Sequence, residues 1–469
     1  MRALAVLLFL VTGLLPTPAV ANSSKPPNIL IVMADDLADW HLGCYGNKVV
    51  KTPNIDRLAV TGVRMANSFV CTPICSPSRA TFFSGLVPRQ HGIHDFLTPR
   101  PAQNPEQGWN RTPESWYAQP HISDYLSRSG YECGYVGKWH MEREQSPQHS
   151  YSYWRAWTGS RRGAFNDPNF SADGKPLEET GYSTEVFTRL GTDFVQKKRD
   201  KPFFLVVSYQ NPHVPYDGHP QRYYDMYREA DFSSFGIEPA APNALREGNY
   251  LSDPVSALRK AAAATTALDD QIPVLLKALS DSGQRENTLV VFTGDNGFLY
   301  GRHGGWSKGW AKDPIVMYEE VIRVPMIFNW PGKLAARKVR RESVSFYDML
   351  PTLLDVAGVE EKLDADRYCG ESYWNLVQGK RQRWDNVRFF NFRYADAVSD
   401  GRYKLILRKG QGPDELFDLE QKPREKTNRI DDPTLAGIRD RLHTRLLSWR
   451  AKFRDPGADL AFPLNSAAH

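Results

Sequence analysis

Three short runs of branched and aromatic residues stop abruptly on polar groups, and they constrain the fold more than any other feature. Asn28-Ile29-Leu30-Ile31-Val32-Met33-Ala34 runs into Asp35-Asp36. Pro202-Phe203-Phe204-Leu205-Val206-Val207-Ser208 runs into Gln210-Asn211-Pro212-His213, and Thr288-Leu289-Val290-Val291-Phe292-Thr293 into Gly294-Asp295-Asn296-Gly297. A strand wetted on one side alternates apolar with polar residues. Runs that are apolar throughout are strands covered on both faces, as in parallel sheets. Between them, Ser183 to Lys197 and Leu258 to Leu279 carry apolar residues at three- and four-residue intervals, which predicts helices. The alternation predicts an α/β sandwich, a large and mostly parallel sheet between helices. Open sheets of this kind bind ligands beyond the carboxyl ends of their strands. Asp35-Asp36, His213 and Asp295-Asn296 are therefore expected to converge.

With 469 residues, one large domain plus a smaller one is the natural expectation. A boundary falls near Gln378-Gly379-Lys380, giving a main domain over 22–378 and a C-terminal α+β subdomain over 379–469. In the subdomain, Val387 to Tyr394 and Ala397 to Arg408 read as antiparallel strands around the turn Asp400-Gly401, and Pro433 to Phe453 as a helix. From Glu142 to Glu179, Trp154, Arg155, Trp157, Arg161 and Arg162 occur among Ser, Gly and Asn. That stretch reads as a long loop insertion over the site.

At the start, Met1-Arg2 precedes an apolar run, Leu4 to Leu15, that is shorter than the ~20 residues of a membrane span. Ala19-Val20-Ala21 then matches a signal-peptidase site. Residues 1–21 are expected to be a signal peptide. The mature chain is then exported to the periplasm or medium, or along the secretory or lysosomal route in a eukaryote. Nothing later is long and apolar enough to span a bilayer. Sequons at Asn22, Asn110 and Asn169 carry meaning only in a eukaryotic route. A net charge of +5 without a clustered basic run shows no nucleic-acid footprint, although a mildly basic surface suits polyanionic substrates.

The five cysteines are too few for a disulfide scaffold, and their odd number asks what the unpaired one does. The densest motif runs from Cys71 through Cys75-Ser76-Pro77-Ser78-Arg79 to Gly85. Cys71 and Cys75 alone make a weak metal or redox pair. If Pro77 opens a helix, Arg79 lies one turn beyond Cys75, where a guanidinium stabilises an oxyanion. Adjacent carboxylates at Asp35-Asp36 repel, so without a cation one is driven toward its protonated form. With Asp295-Asn296 they offer three carboxylates and an amide oxygen, a donor set for Ca²⁺ or Mg²⁺ rather than zinc. In Gly137-Lys138-Trp139-His140, Lys138 and His140 share one side of an extended segment. The non-functional readings are a buried core thiol for Cys75, a surface turn for the acids and a solvated pair for Lys138 and His140.

Taken together, these motifs resemble the type I sulfatases of the alkaline-phosphatase-like superfamily, in order and spacing from Asn28 to about Gln378. The resemblance implies that Cys75 is converted to formylglycine by a formylglycine-generating or sulfatase-maturing enzyme. The hydrated aldehyde then attacks sulfur, and the metal is usually calcium. It implies Asp35, Asp36, Asp295, Asn296 and the oxidised residue 75 as metal ligands. Arg79, Lys138, His140, His213 and Lys308 are implied as catalytic residues: Lys138 and Lys308 on the sulfate, His140 as base on the diol, His213 facing the leaving-group oxygen. His303, in Arg302-His303-Gly304-Gly305, either reaches the substrate pocket or packs a loop. His91 and His94 read as structural or outer-pocket residues.

The expected substrate is a sulfated saccharide such as a glycosaminoglycan or algal fragment, gripped by Arg155, Arg161 and Arg162 and stacked on Trp154 and Trp157. Two alternatives remain: a phosphonate or phosphodiester hydrolase of the same superfamily, and an inactive glycan-binding protein that uses Trp154, Trp157, Trp306 and Trp310.

Overall fold

The structure is a computed structural model and describes residues 25–97, 112–245 and 248–453. The expected signal peptide, residues 1–21, and the sequons at Asn22 and Asn110 lie outside the described residues. No described helix is long and apolar enough to cross a membrane.

Ten strands form the main sheet: β1 Asn28–Ala34, β2 Val63–Phe69, β3 Glu132–Gly137, β4 Tyr153–Arg162, β5 Asn166–Ala172, β6 Lys175–Glu178, β7 Phe203–Ser208, β8 Thr288–Gly294, β9 Met326–Asn329 and β10 Lys338–Ser345. Their order is β10-β2-β9-β8-β1-β7-β3-β4-β5-β6. Strands β8, β1, β7, β3 and β4 run parallel, and β9, β5 and β6 pair antiparallel to their neighbours. The sheet is thus mixed and mostly parallel.

Two-sided burial explains the three apolar runs. Along β1, Ile29, Ile31 and Met33 enter one core while Leu30, Val32 and Ala34 enter the core on the opposite face. Strands β7 and β8 divide their side chains in the same way. Among the covering helices, Ser183–Gln196 matches its expected span. The single helix expected from Leu258 to Leu279 is two, Pro254–Asp269 and Ile272–Asp281. The chain breaks at Asp270-Gln271, and Pro273 opens the second helix, where its missing N–H costs nothing.

The expected loop insertion at 142–179 is largely sheet. After a loop lines the cavity, β4 joins β3 in parallel, and β5 and β6 extend the edge. Trp154 and Ala156 alternate inward from β4 and are fully buried. The mixed face of Tyr153, Arg155 and Trp157, and a partner strand far away in sequence, hid β4 from periodicity alone.

The second sheet is antiparallel: β11 Arg388–Phe392, β12 Ala395–Ser399, β13 Tyr403–Leu407 and β14 Glu415–Asp418. Strands β12 and β13 flank the turn Asp400-Gly401. The helix Ala436–Lys452 packs on this sheet through Leu442, Leu446 and Trp449.

Candidate active site

The parallel strands end side by side, and backbone hydrogen bonds stitch the segments that follow them. Asp35 N–H donates to Asn211 O at 2.9 Å, Asp295 N–H to Ala34 O at 2.9 Å, and Lys138 N–H to Ser208 O at 2.9 Å. Gly137 is required at its exit: its φ is +102°, and a Cβ would come within 2.0 Å of Ser208 O. Asp36 takes a left-handed backbone, φ 61°, which turns its carboxylate back over the strand ends.

The helix Cys75–Ser84 points its first residue into this cluster, and all ten of its side chains are buried. The Cys75 thiol donates to Asp35 Oδ1 at 3.3 Å, and Lys308 Nζ lies 2.7 Å from Sγ. Lys308 also bonds the Asp36 carboxylate, and Lys138 bonds that of Asp35. One ligand atom each from Asp35, Asp36, Cys75 and His213 falls within 4.8 Å of the others.

Arg79 sits one turn along the helix, as expected, and its guanidinium is fully buried, hydrogen-bonded through Nε and Nη1, with Nη2 beside Asp295 but without a hydrogen bond of its own. It donates to Asp295 Oδ2 at 2.9 Å, to Lys138 O at 2.7 Å and to Ser208 Oγ at 2.6 Å. Through these bonds Arg79 clamps three strand ends together. Ser208, whose hydroxyl also donates to Lys138 O at 2.9 Å, is a site residue that no motif signalled.

Burial alone would lift Asp35, but Lys138, His213, Arg79 and Lys308 hold its carboxyl well below the usual range. Asp295 goes the other way: burial and the neighbouring Asp35 push it to about 7. Burial and Asp35 likewise push the Cys75 thiol up, so the unmodified sulfur is a poor nucleophile. Lys308 stays charged despite burial because Asp36, Cys75 and Asp35 surround it.

A cation would find prepared ligands here. Asp36 Oδ2 and Asn296 Oδ1 are buried without a hydrogen-bond partner among the described residues. The Asn296 amide spends its N–H groups on Asp36 Oδ1 and Gly297 O, which leaves its oxygen unused. With Asp35 and Asp295 beside them, the donors are oxygens that suit a hard divalent ion.

A cavity of about 680 Å³ opens beside the cluster, lined by Lys138, His140, His213, Trp157, Glu142 and neighbours. His140 Nε2–H donates to Leu97 O at 2.9 Å, so Nδ1 carries the lone pair, and that atom is buried without a partner. Burial and Lys138 keep this imidazole neutral. His213 Nε2 stands 3.6 Å from Asp36 Oδ2 and is depressed by burial.

His303 stands apart: its ring pairs with Glu320 at 3.3 Å, stacks on Tyr318 and does not line the cavity. His91 is structural, bonded to Thr81 and to the Ile93 N–H. The arginines expected to grip substrate are paired with acids of β5, β6 and the turn between them, Arg155 with Asp173 and Arg161 with Glu178, each at 2.7 Å, and Arg162 with Asp167. None of them lines the cavity, and of the two tryptophans only Trp157 does.

Residues 27–359 match the sulfatase family model, and residues 305–452 match the C-terminal model of N-sulphoglucosamine sulphohydrolase. The chain is 29% identical to the uncharacterised sulfatase YidJ of Escherichia coli K12, over 92% of this chain and 88% of that one. It is 25% identical to the N-acetylglucosamine-6-O-sulfatase of Bacteroides thetaiotaomicron, over 96% and 92%. A protein solved in complex with its substrate D-glucosamine-2-N,6-O-disulfate shares the fold at a TM-score of 0.76 and 23% identity, over 93% of this chain and 99% of that one. A family match over most of the main sheet, on a chain whose acids and lysines gather around Cys75, makes this protein a member of the sulfatase family and a sulfuric ester hydrolase.

Proposed function

We propose that the protein removes sulfate from a sulfated saccharide, with formylglycine made from Cys75 as nucleophile and calcium, or magnesium, held by Asp35, Asp36, Asp295 and Asn296. One observation carries this reading: Lys308 Nζ, Asp35 and Asp36 converge on the buried Cys75 sulfur, next to the Lys138 and His213 that line the cavity. A cation held by these four residues would supply the positive charge that stabilises the reacting anions. Lys138 and Lys308 face the same spot and balance the charge that develops on the sulfuryl oxygens. Arg79 positions Asp295 and the Lys138 backbone. His140, neutral with its Nδ1 lone pair unused, accepts a proton. Burial makes the His213 imidazolium a stronger acid, which suits donation to the leaving alcohol.

The cavity volume fits one or two sugar rings, and Trp157 offers a stacking face. The N-acetylglucosamine-6-O-sulfatase of Bacteroides thetaiotaomicron and the structural relative bound to its glucosamine disulfate substrate support an amino-sugar sulfate. Export through residues 1–21, maturation by a formylglycine-forming enzyme and a division near Gly379 belong to the same proposal. Mass spectrometry of the Cys75 peptide, with sulfate release from a panel of sulfated mono- and oligosaccharides, tests it. An unmodified thiol in active enzyme, or turnover of phosphonates without release of sulfate, would overturn it.

A further inference from the structure

Two basic stretches about 40 residues apart, Lys338-Val339-Arg340-Arg341 and Lys380-Arg381-Gln382-Arg383, are neighbours in space. Arg340, Lys380, Arg381 and Arg383 line one hollow of about 570 Å³, with Glu342 the acid among its lining residues. Lys338 shares the face of Arg340 by the two-residue period of β10. Gly379 makes the junction: its φ is +83°, and a Cβ there would fall 2.5 Å from Arg340 Nη2. Lys338, Lys380, Arg381 and Arg383 are exposed. None of the five cations forms an ion pair among the described residues, and Arg340 Nε is buried without a hydrogen-bond partner. By contrast Asp385, two residues after Arg383, is held by Arg445. Four cations around one acid leave a net positive excess whose members repel one another, and an anion relieves that repulsion.

The hollow lies far from the catalytic cluster. Strand β10 is parallel to β2, and two antiparallel steps through β9 make β2 parallel to β8 and β1. The start of β10 is therefore at the end of the sheet opposite the carboxyl termini that carry Asp35 and Asp295. It is also the edge strand, four strands from β1. That is roughly 19 Å sideways and roughly 20 Å along the strands.

We propose that this hollow is a second binding site that holds sulfated polysaccharide away from the catalytic centre and keeps polymeric substrate on the enzyme. Guanidinium groups grip sulfate oxygens in a bidentate fork, and several cations around one concavity match the repeating anions of such a chain. The choice of sulfated polysaccharide rests on the function proposed above. A monosaccharide cannot reach both places, whereas a chain of several sugars can.

The test combines Lys380→Gln, Arg381→Gln and Arg383→Gln in one variant. Retention on immobilised heparin is read across a sodium chloride gradient, with turnover of a small aryl sulfate measured beside it. The wild type is expected to be retained, and the variant to elute at about half the salt concentration. Aryl sulfate turnover and Tm should stay the same. Sulfate release from a polymeric substrate should fall roughly tenfold in kcat/KM at low salt, a difference that closes at high salt because the Debye length shrinks to ~3 Å at 1 M. Unchanged elution of the variant overturns the site, because the cations of the catalytic cluster then explain the retention. Equal loss on aryl sulfate and polymer overturns it in favour of a structural role. Equal retention on duplex DNA overturns the assignment to sulfated polysaccharide. A wild type that hydrolyses no sulfate ester, yet binds heparin through these three residues, refutes the proposed function while supporting the site.

Discussion

Replacing Lys404 by Met should destabilise the protein by an amount that grows with pH. Lys404 lies in β13 with its ammonium fully buried, 2.6 Å from Glu425, 3.1 Å from Glu319 and 2.8 Å from Met317 O. The Glu319 N–H donates to Glu425 at 2.7 Å, so the cation ties the small sheet to the segment that leads into β9. Two residues on, Val321 O accepts the Gly297 N–H, next to Asn296.

Burial works against charge on both acids, yet Lys404 and Arg323 hold Glu319 below its usual range. Glu425 is lifted to about 8 by burial and by Glu319 and Glu320, despite Lys404. Methionine keeps an unbranched side chain one atom shorter and removes its charge. Breaking a buried ion pair from one side costs about 3–5 kcal/mol. Protonation of the abandoned acids relieves part of that cost. A carboxyl whose folded pKa lies above its unfolded value contributes stability that is complete below about 4.5 and is lost as pH rises through the folded value. Loss of the ammonium puts Glu319 in that class and raises Glu425 further. The penalty should therefore be small at pH 5 and approach the full figure at pH 9. Urea unfolding of both proteins at pH 5, 7 and 9 measures it. A loss below about 1 kcal/mol at pH 9, or one that is the same at every pH, would refute the reasoning.

At the active site, Cys75→Ala should abolish sulfate release while Cys71→Ala keeps most of it, and equal loss would favour the redox or metal pair. Asp36→Asn should lower kcat by about 10²–10³, the range for removal of one preorganised charge-stabilising group. Chelation should do likewise, and Ca²⁺ or Mg²⁺ should restore activity; rescue by zinc alone would contradict the oxygen donor set. Trp157→Ala should raise KM for a sulfated oligosaccharide several-fold, as loss of a ring contact of about 0.5–1.5 kcal/mol predicts, and leave a small aryl sulfate unaffected. Arg161→Ala with Arg162→Ala should change neither KM, because both guanidiniums are spent on Glu178 and Asp167; a rise in KM for the oligosaccharide alone would return them to the substrate.

Strands β1, β7 and β8 and the polar residues at their ends were legible in the sequence because burial on both faces marks every residue of a strand. That property is local, and so is the helix that places Arg79 one turn from Cys75. The break at Asp270-Gln271 was also written locally, in Pro273, but the apolar spacing ran through it. What the sequence could not show is which charge meets which. Arg79 closes on Asp295 and Lys138 O, Arg161 on Glu178, and His303 on Glu320, and these choices follow from strand order and chain reversal. The outer strands β4 to β6 were hidden for a related reason: strands with mixed faces are defined by the neighbours they pair with. Likewise, Arg340 and Lys380 to Arg383 are unremarkable as separate short runs. Only the fold brings them around one hollow, since side-chain periodicity is set within a few residues, whereas the partner of a charge is set by whatever the sheet carries past it.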